Sequence, residues 1–511
     1  MRPSSLVVGV LLIAFGSPAT AADVVLRQAL VYDGGGGKPY VADVRVHGER
    51  ITRVAPHLTP NPGEQIRNVL GLAMAPGFID MHSHGDVGLL SDPDAGTITR
   101  QGVTTIVVGQ DGDSNYPLAD WLKRLTETPT AINVASMAGQ ATLRAKVMGK
   151  DLYRPSTPEE LQQMKALLAQ ELAAGAFGLS TGLEYEEAHS STTEEVTELA
   201  KVAARMKGFY ISHVRDEGDN VFQSYDEVLR IGREAHLPVE ISHIKLASTA
   251  VWHLAKMRMS EYFARARSEH VDLRADVYPY NYWFSTIRVI VPDRDFYNPD
   301  KVGAALASEG GPAAIRLTKY VPDPSLAGKN VEEIAANWHV TPVEAYMRIV
   351  RETSTEEGKP FSEFLENVVG FSMSEDDVRW FVSRPGIMFC SDGDLHGAHP
   401  RGAGSFPRVL GRYVREQRAL SLEEAIHKMT ALPAAVLGLR DRGRIAAGYV
   451  ADLVLFDPAT VIDRSTIEQP EEPPAGIPAV MVGGEWVVDG GETTGQHPGQ
   501  ALRHGSARQL N

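Results

Sequence analysis

His82 and His84, separated by one serine at the end of the apolar run Phe78-Ile79-Asp80-Met81, are where this sequence first points to chemistry. Alternate side chains of a β-strand share a face, so the two imidazoles can turn toward one cation while Ser83 points away. Two histidines at a strand end suit an ordinary surface equally well. Their meaning therefore depends on which other side chains the fold delivers to the same spot.

Across the middle of the chain, short apolar runs of β-forming composition alternate with longer helical patterns, the signature of βα units around a parallel sheet. Strands are predicted at 77–80, 103–108, 131–136, 176–180, 208–212, 238–242, 271–277 and 386–391, and helices at 157–174, 193–206, 225–235 and 251–269. Thr157, with Glu159 and Glu160 behind it, marks a capped helix start whose acidic first turn matches the helix dipole. Eight strands make a (β/α)8 TIM-like barrel, in which chemistry sits at the C-terminal strand ends. Those ends carry His82 and His84 after strand one, Gln110-Asp111 after two, His213 after five, His243 after six and Asp392 after eight. Four imidazoles and two carboxylates suffice for two adjacent divalent ions, and this mixture favours zinc, manganese, iron or cobalt over calcium. Asp113 competes with Asp111 for the place after strand two.

The flanks read differently. Residues 22–70 and 443–500 share short alternating apolar segments with glycine turns such as Gly483-Gly484, so the two ends are expected to form one small β-sandwich beside the barrel at 71–442. The rhythm breaks at 288–380, which reads as an insertion between strands seven and eight, placed to act as a lid over the barrel mouth. At 511 residues and 43% hydrophobic, the chain can bury cores of this size. A net charge of −15 argues against nonspecific nucleic-acid or anionic-membrane binding and leaves a small-molecule partner. At the start, Arg2, an apolar run over 6–15 and Ala19-Thr20-Ala21 match a cleavable export signal over 1–21, the alternative being a retained anchor. The expected product is periplasmic or secreted, with no membrane attachment after cleavage. Cys390 is the only cysteine, so no intrachain disulfide supports it.

Ordered along the chain are Ala75-Pro76-Gly77-Phe78-Ile79-Asp80-Met81-His82-Ser83-His84, Gly102-Val103-Thr104-Thr105 and Gly178-Leu179-Ser180-Thr181-Gly182-Leu183-Glu184-Tyr185. They are followed by Ser212-His213-Val214-Arg215-Asp216-Glu217, Ile241-Ser242-His243-Ile244-Lys245, Asp276-Val277-Tyr278-Pro279-Tyr280, Ser391-Asp392-Gly393 and Phe406-Pro407-Arg408-Val409-Leu410-Gly411. With these stretches the chain resembles the amidohydrolase superfamily and, within it, the N-acyl-D-amino-acid deacylase (D-aminoacylase) family. The resemblance implies His213 and His243 on a tightly held zinc, with His82, His84 and Asp392 around a second, weaker divalent ion. One ligand departs: the family places a cysteine after strand two within Gly-Asn-Cys-Gly, and this chain has Gly109-Gln110-Asp111-Gly112, so Asp111 is expected to replace the thiolate. The superfamily's carboxylated lysine has no counterpart, since strand four ends in Leu179-Ser180-Thr181.

A metal at such a site acidifies water and polarises a carbonyl. Asp392 is then the natural proton shuttle between the attacking water and the departing amine. In resembling deacylases a lysine and an arginine matching Lys245 and Arg401 hold the substrate α-carboxylate; Tyr278 could bond the carbonyl oxygen or its tetrahedral anion, and Ser285 is the nearest match to a substrate-contacting serine. The run Tyr280-Asn281-Tyr282-Trp283-Phe284-Ser285-Thr286 is more aromatic than the family pattern and reshapes the acyl pocket, while Gln140 stands where relatives carry a histidine. His189, His396 and His399 are expected near the mouth without binding metal. The implied activity is hydrolysis of N-acyl-D-amino acids. The alternative is cleavage of dipeptides with a D-residue, for which Glu184 or Glu187 would meet the substrate amine. An inactive, ligand-binding relative would have lost Asp392 or the histidines, and all are present. A deaminase of the same superfamily fits the Gly178–Tyr185 stretch less well.

Overall fold

Short, mostly buried segments form eight parallel strands, which we number β1 (Phe78–Asp80), β2 (Val103–Val108), β3 (Asn133–Ser136), β4 (Gly178–Gly182), β5 (Phe209–His213), β6 (Val239–Ile241), β7 (Leu273–Val277) and β8 (Ile387–Phe389). The computed structural model describes residues 23–353 and 365–505, so the expected export signal lies outside the described residues. Neighbouring strands pair in parallel from β1 to β3 and from β4 to β8. The two remaining joins close the barrel. Phe177 donates its N–H to Ser136 O at 2.9 Å and Ala138–Gly139 pairs with β4, while Ser83–His84 pairs with Gly393–Asp394 just beyond β8. Every residue of β2 is buried, as expected of strands covered on both faces.

The helix leading into β4 shows how local sequence sets an element. Thr157 accepts the N–H of Glu160 and the Glu160 carboxylate accepts the N–H of Thr157, a reciprocal cap, with Pro158 at the first helical position; the helix runs Pro158–Ala174. Thr192 caps Thr193–Arg205 on one side only, its hydroxyl accepting the N–H of Glu195 at 3.1 Å. The expected helix at 251–269 instead begins as a π-turn at Ala255–Met259 and continues as Ser260–Ser268. His253 lies in the left-handed region, and the Asp377 carboxylate, distant in sequence, accepts the N–H groups of His253 and Ala255 at 2.6 and 3.1 Å. A tertiary side chain fixes that helix start, so no local pattern foretold it.

The terminal segments combine beside the barrel into one nine-stranded sheet, hydrogen-bonded throughout. Its N-terminal and C-terminal halves meet where Ala73–Pro76 pairs antiparallel with Leu453–Phe456. Val24, Leu26, Val44, Met74, Leu453, Leu455 and Met481 bury one face in a core of its own, while Val454 and Phe456 face the barrel core. The hairpin at Gly483-Gly484 needs positive φ at both central positions, 54° and 84°, which glycine supplies without steric cost.

Between β7 and β8 the chain leaves the barrel at Trp283–Ser285, earlier than the expected boundary at 288. That strand joins Glu366–Gly370 and Ile315–Tyr320 in a three-stranded antiparallel sheet. Helices Pro299–Ser308, Val331–Trp338 and Pro342–Glu352 lie within the same excursion. Glu375–Ser383 packs against β7 and β8 and so belongs to the barrel's outer ring. Among the described residues no helix is long and apolar enough to cross a membrane.

Candidate metal centre

The strand ends converge at one mouth. His82 Nε2 lies 3.1 Å from His84 Nε2, 3.4 Å from Asp392 Oδ1 and 3.6 Å from Asp111 Oδ1. On the other side His213 Nδ1 lies 3.1 Å from His243 Nε2, with Asp111 Oδ1 at 3.9 and 3.4 Å from the two. Two donor sets meet at Asp111, namely His82, His84, Asp111 and Asp392, and Asp111, His213 and His243, with a third group of Glu184, His213 and Glu217 beside them, each with ligand atoms within 4.8 Å of one another. Asp111 belongs to the first two, presenting Oδ1 to His82, His213 and His243 and Oδ2 to His84 at 3.4 Å. Asp113 does not compete: its carboxylate accepts the Thr142 hydroxyl at 2.9 Å away from the cluster.

The backbone is shaped for this convergence. Asp111, His243 and Asp392 have φ of 55°, 35° and 51°, a left-handed conformation that costs a non-glycine residue about 1–2 kcal/mol. Gly182, ending β4, lets the Asp111 carbonyl come close, since a Cβ there would sit 2.2 Å from that oxygen. Beneath the ligands, carboxylates inside the barrel hold the main chain. Asp80 accepts the N–H of His82 at 3.3 Å and the N–H and hydroxyl of Ser391 at 2.8 and 2.5 Å. Asp276 accepts the N–H of His243 at 2.7 Å, and the Ser242 hydroxyl bonds His82 Nδ1.

Electrostatics fit a cation. Burial works against ionising Asp111, yet His82, His243 and His84 hold its carboxyl well below the usual range. Asp392 is likewise held far below its ordinary value against burial, by Arg401, then His243 and His82. The same carboxylates push His84 well above an ordinary imidazole despite its burial. Buried ring nitrogens 3.1 Å apart, facing carboxylate oxygens at 3.4–3.9 Å, leave room for a divalent ion that takes over the charge otherwise carried by imidazole protons. Imidazole with carboxylate is a donor set for zinc or a similar ion.

A cavity of about 340 Å³ opens onto His213 and Asp392. Lys245, Ser285 and Arg401 line it; Tyr278 does not. The Lys245 ammonium donates to Glu217 at 2.7 and 2.8 Å and to His243 Nδ1 at 2.7 Å, which leaves His243 Nε2 for the ion. Arg401 Nη1 reaches Asp392 Oδ2 at 2.6 Å. The Tyr278 ring packs against both cations, 5.4 Å from Lys245 Nζ and 4.9 Å from the Arg401 guanidinium, while its hydroxyl points to Met373 Sδ at 3.7 Å. Ser285 Oγ is buried without a partner. Glu184 lines the cavity and accepts from His213 Nε2 at 2.9 Å, whereas Glu187 is not part of the wall. Trp283 and Phe284 of the aromatic run are wall residues. Gln140 binds Ser191 and Glu195 instead of facing the mouth. His399 is buried between Tyr282 O and the Arg401 N–H, His396 lies at the surface between Asp92 and Glu471, and His189 does not line the cavity.

Sequence reasoning gave no role to Glu217, Asp80 and Asp276. Glu217 stands in the Ser212–Glu217 stretch, four residues after His213, and Asp80 and Asp276 are carboxylates flanked by apolar residues in β1 and β7, which is the available signal.

The model of the amidohydrolase family matches residues 65–296 and 382–488, leaving out most of the excursion between β7 and β8. The D-aminoacylase of Alcaligenes xylosoxydans xylosoxydans is 36% identical over 515 residues, 95% of this chain and 98% of that enzyme. The N-acyl-D-aspartate deacylase of the same organism is 37% identical over 518 residues, 96% and 97% of the two chains. The crystal structure of N-acyl-D-glutamate deacylase from Bordetella bronchiseptica, complexed with zinc and a phosphonate mimic of the tetrahedral intermediate, superposes with a TM-score of 0.82 at 33% identity, covering 94% of this chain and 99% of that one.

Proposed function

This chain belongs to the amidohydrolase family, and from that premise we propose that it hydrolyses N-acyl-D-amino acids to the free D-amino acid and a carboxylate, with zinc as its metal. The observation that carries the reading is Asp111 shared between two histidine-containing donor sets, directly beside a cavity whose wall holds Asp392 and Arg401. His213, His243 and Asp111 would hold one ion, and His82, His84, Asp111 and Asp392 a second. A bound divalent cation supplies Lewis acidity and lowers the pKa of water.

The chain's own groups do the rest. Asp392 keeps Oδ1 toward the imidazoles and Oδ2 toward Arg401, so it can accept the proton of the attacking water and pass it to the amide nitrogen as the C–N bond breaks and the new C–O bond forms. Arg401 and Lys245 are the cations available to a substrate α-carboxylate. Arg401 offers a planar fork, and a carboxylate drawn to it competes with Asp392 for the guanidinium. Tyr278 keeps both cations in place through its ring face.

Zinc-reconstituted protein should turn over N-acetyl-D-amino acids and leave their L-enantiomers intact, lose activity on chelation and regain it with added zinc. Absence of turnover on every D-substrate overturns the reading. Export belongs to the same proposal and rests on residues 1–21; N-terminal sequencing of the mature product should find it beginning at Ala22.

A further inference from the structure

We propose that Glu309 selects substrates carrying a cationic or N–H-donating group and excludes those with a side-chain carboxylate. This rests on the deacylase reading and assigns its substrate class. The cavity wall carries the carboxylates of Glu184, Asp216, Glu217, Asp219, Asp293 and Glu309. Each cation on that wall is already paired: Lys245 with Glu217, Arg401 with Asp392, and Lys301 with Asp293 and Asp295. Most of the acids are engaged as well. Glu184 accepts from His213, Asp216 from Gly218 and Asn220, and Asp219 from the hydroxyls of Ser248 and Ser308.

Glu309 differs. It follows the helix Pro299–Ser308 of the inserted excursion, is only 7% exposed, and its Oε2 is buried without a partner while the residue lines the cavity. An unpartnered buried carboxyl oxygen is destabilising, a penalty that a donor on the ligand would remove. Burial pushes the Glu309 carboxyl up to about 8, with hydrogen bonding to Ser372 and Trp283 opposing the shift and the charges of Glu184 and Asp219 adding to it, so its neutral acid is favoured. An entering cation would ionise it and pair with it. An entering carboxylate would meet the charges of Glu184 and Asp219, while among the described residues the lysines and arginine that line the cavity are already paired.

The donor could reside on the D-amino-acid side chain or on the acyl half. One arm of the test compares kcat/KM of the zinc-loaded enzyme for N-acetyl-D-lysine, N-acetyl-D-norleucine and N-acetyl-D-glutamate; the other compares glycyl-D-norleucine with N-acetyl-D-norleucine. A charge-assisted contact predicts at least about 10-fold preference for the cationic member in one arm, which identifies the end that meets Glu309, and discrimination against the glutamate of similar size. Glu309→Gln, checked by thermal melting, should reduce that preference to within about 3-fold of unity. Turnover of the neutral substrate with no cation preference in either arm overturns this inference alone, as does a preference unchanged in Glu309→Gln. No turnover of any D-substrate removes the deacylase reading and this inference with it. Should Glu309→Gln fail to fold, the wild-type ratios decide.

Discussion

The barrel mouth and the terminal sheet are built on opposite principles. In the sheet, paired strands run in regular register for most of their length, their inward side chains are aliphatic, and the turns are glycines in the conformation that hairpins need. At the mouth, three non-glycine residues sit at positive φ, ionised groups are buried, and Ser285 and Glu309 keep polar atoms without partners. The sheet is organised to minimise free energy, while the mouth retains features that would be costly without a ligand. The sheet has a departure of its own, Gln28 at φ of 60° in a bulged strand, but the strained residues of the mouth are themselves metal-ligand candidates.

Three substitutions press on that contrast. At the mouth, Asp392→Asn should lower kcat/KM on the order of 10³-fold while leaving most of the zinc bound and the melting temperature close to wild type. Near-normal turnover, measured with metal content by atomic absorption, would refute the shuttle role. In the sheet, Leu453 is fully buried where the N- and C-terminal segments meet, and Leu453→Ala should cost about 3 kcal/mol of unfolding free energy. Its kcat/KM per folded molecule should stay unchanged; a loss of activity in folded protein would show that the two regions are coupled. The smallest effect belongs to Lys428, on a helix packed against β8. It is fully buried, its ammonium lies 4.6 Å from the Phe389 ring centre, and burial lowers it from 10.5 to about 7. Between these values the unfolded chain binds a proton that the folded chain does not, so stability rises with pH through that window, by at most about 1.4 kcal/mol per pH unit from this group. Lys428→Met should flatten that slope in urea titrations at pH 7, 8.5 and 10. An unchanged slope would mean that the amine is charged in the folded state.

The same contrast explains what could be read in the sequence. Strand positions were legible because burial on both faces writes continuous apolar runs, and the helix at Pro158–Ala174 because Thr157 and Glu160 cap it locally. The residues that gather at the mouth could be listed in advance since a barrel delivers strand ends to one place. Partners could not be read. That Lys245 is held by Glu217, that Tyr278 faces two cations instead of the cavity, and that Asp377 starts a helix 122 residues away from it at Ala255 are consequences of tertiary packing. The wall formed by Val289, Ala305 and Glu309 was equally hidden, because the excursion between β7 and β8 has no strand–helix rhythm to register it.

Asp111 carries one more consequence. Where relatives are expected to offer a thiolate to the metal, this chain offers a carboxylate, and its lone sulfhydryl, Cys390, is buried with its ionisation strongly suppressed. A thiolate ligand is open to sulfenic acid formation, mixed disulfides and mercurial capture; a carboxylate is inert to all three. The donor sets of the centre thus contain nothing for peroxide to oxidise reversibly, and an enzyme working in an oxidising compartment would keep its ligands without a thioredoxin to maintain them.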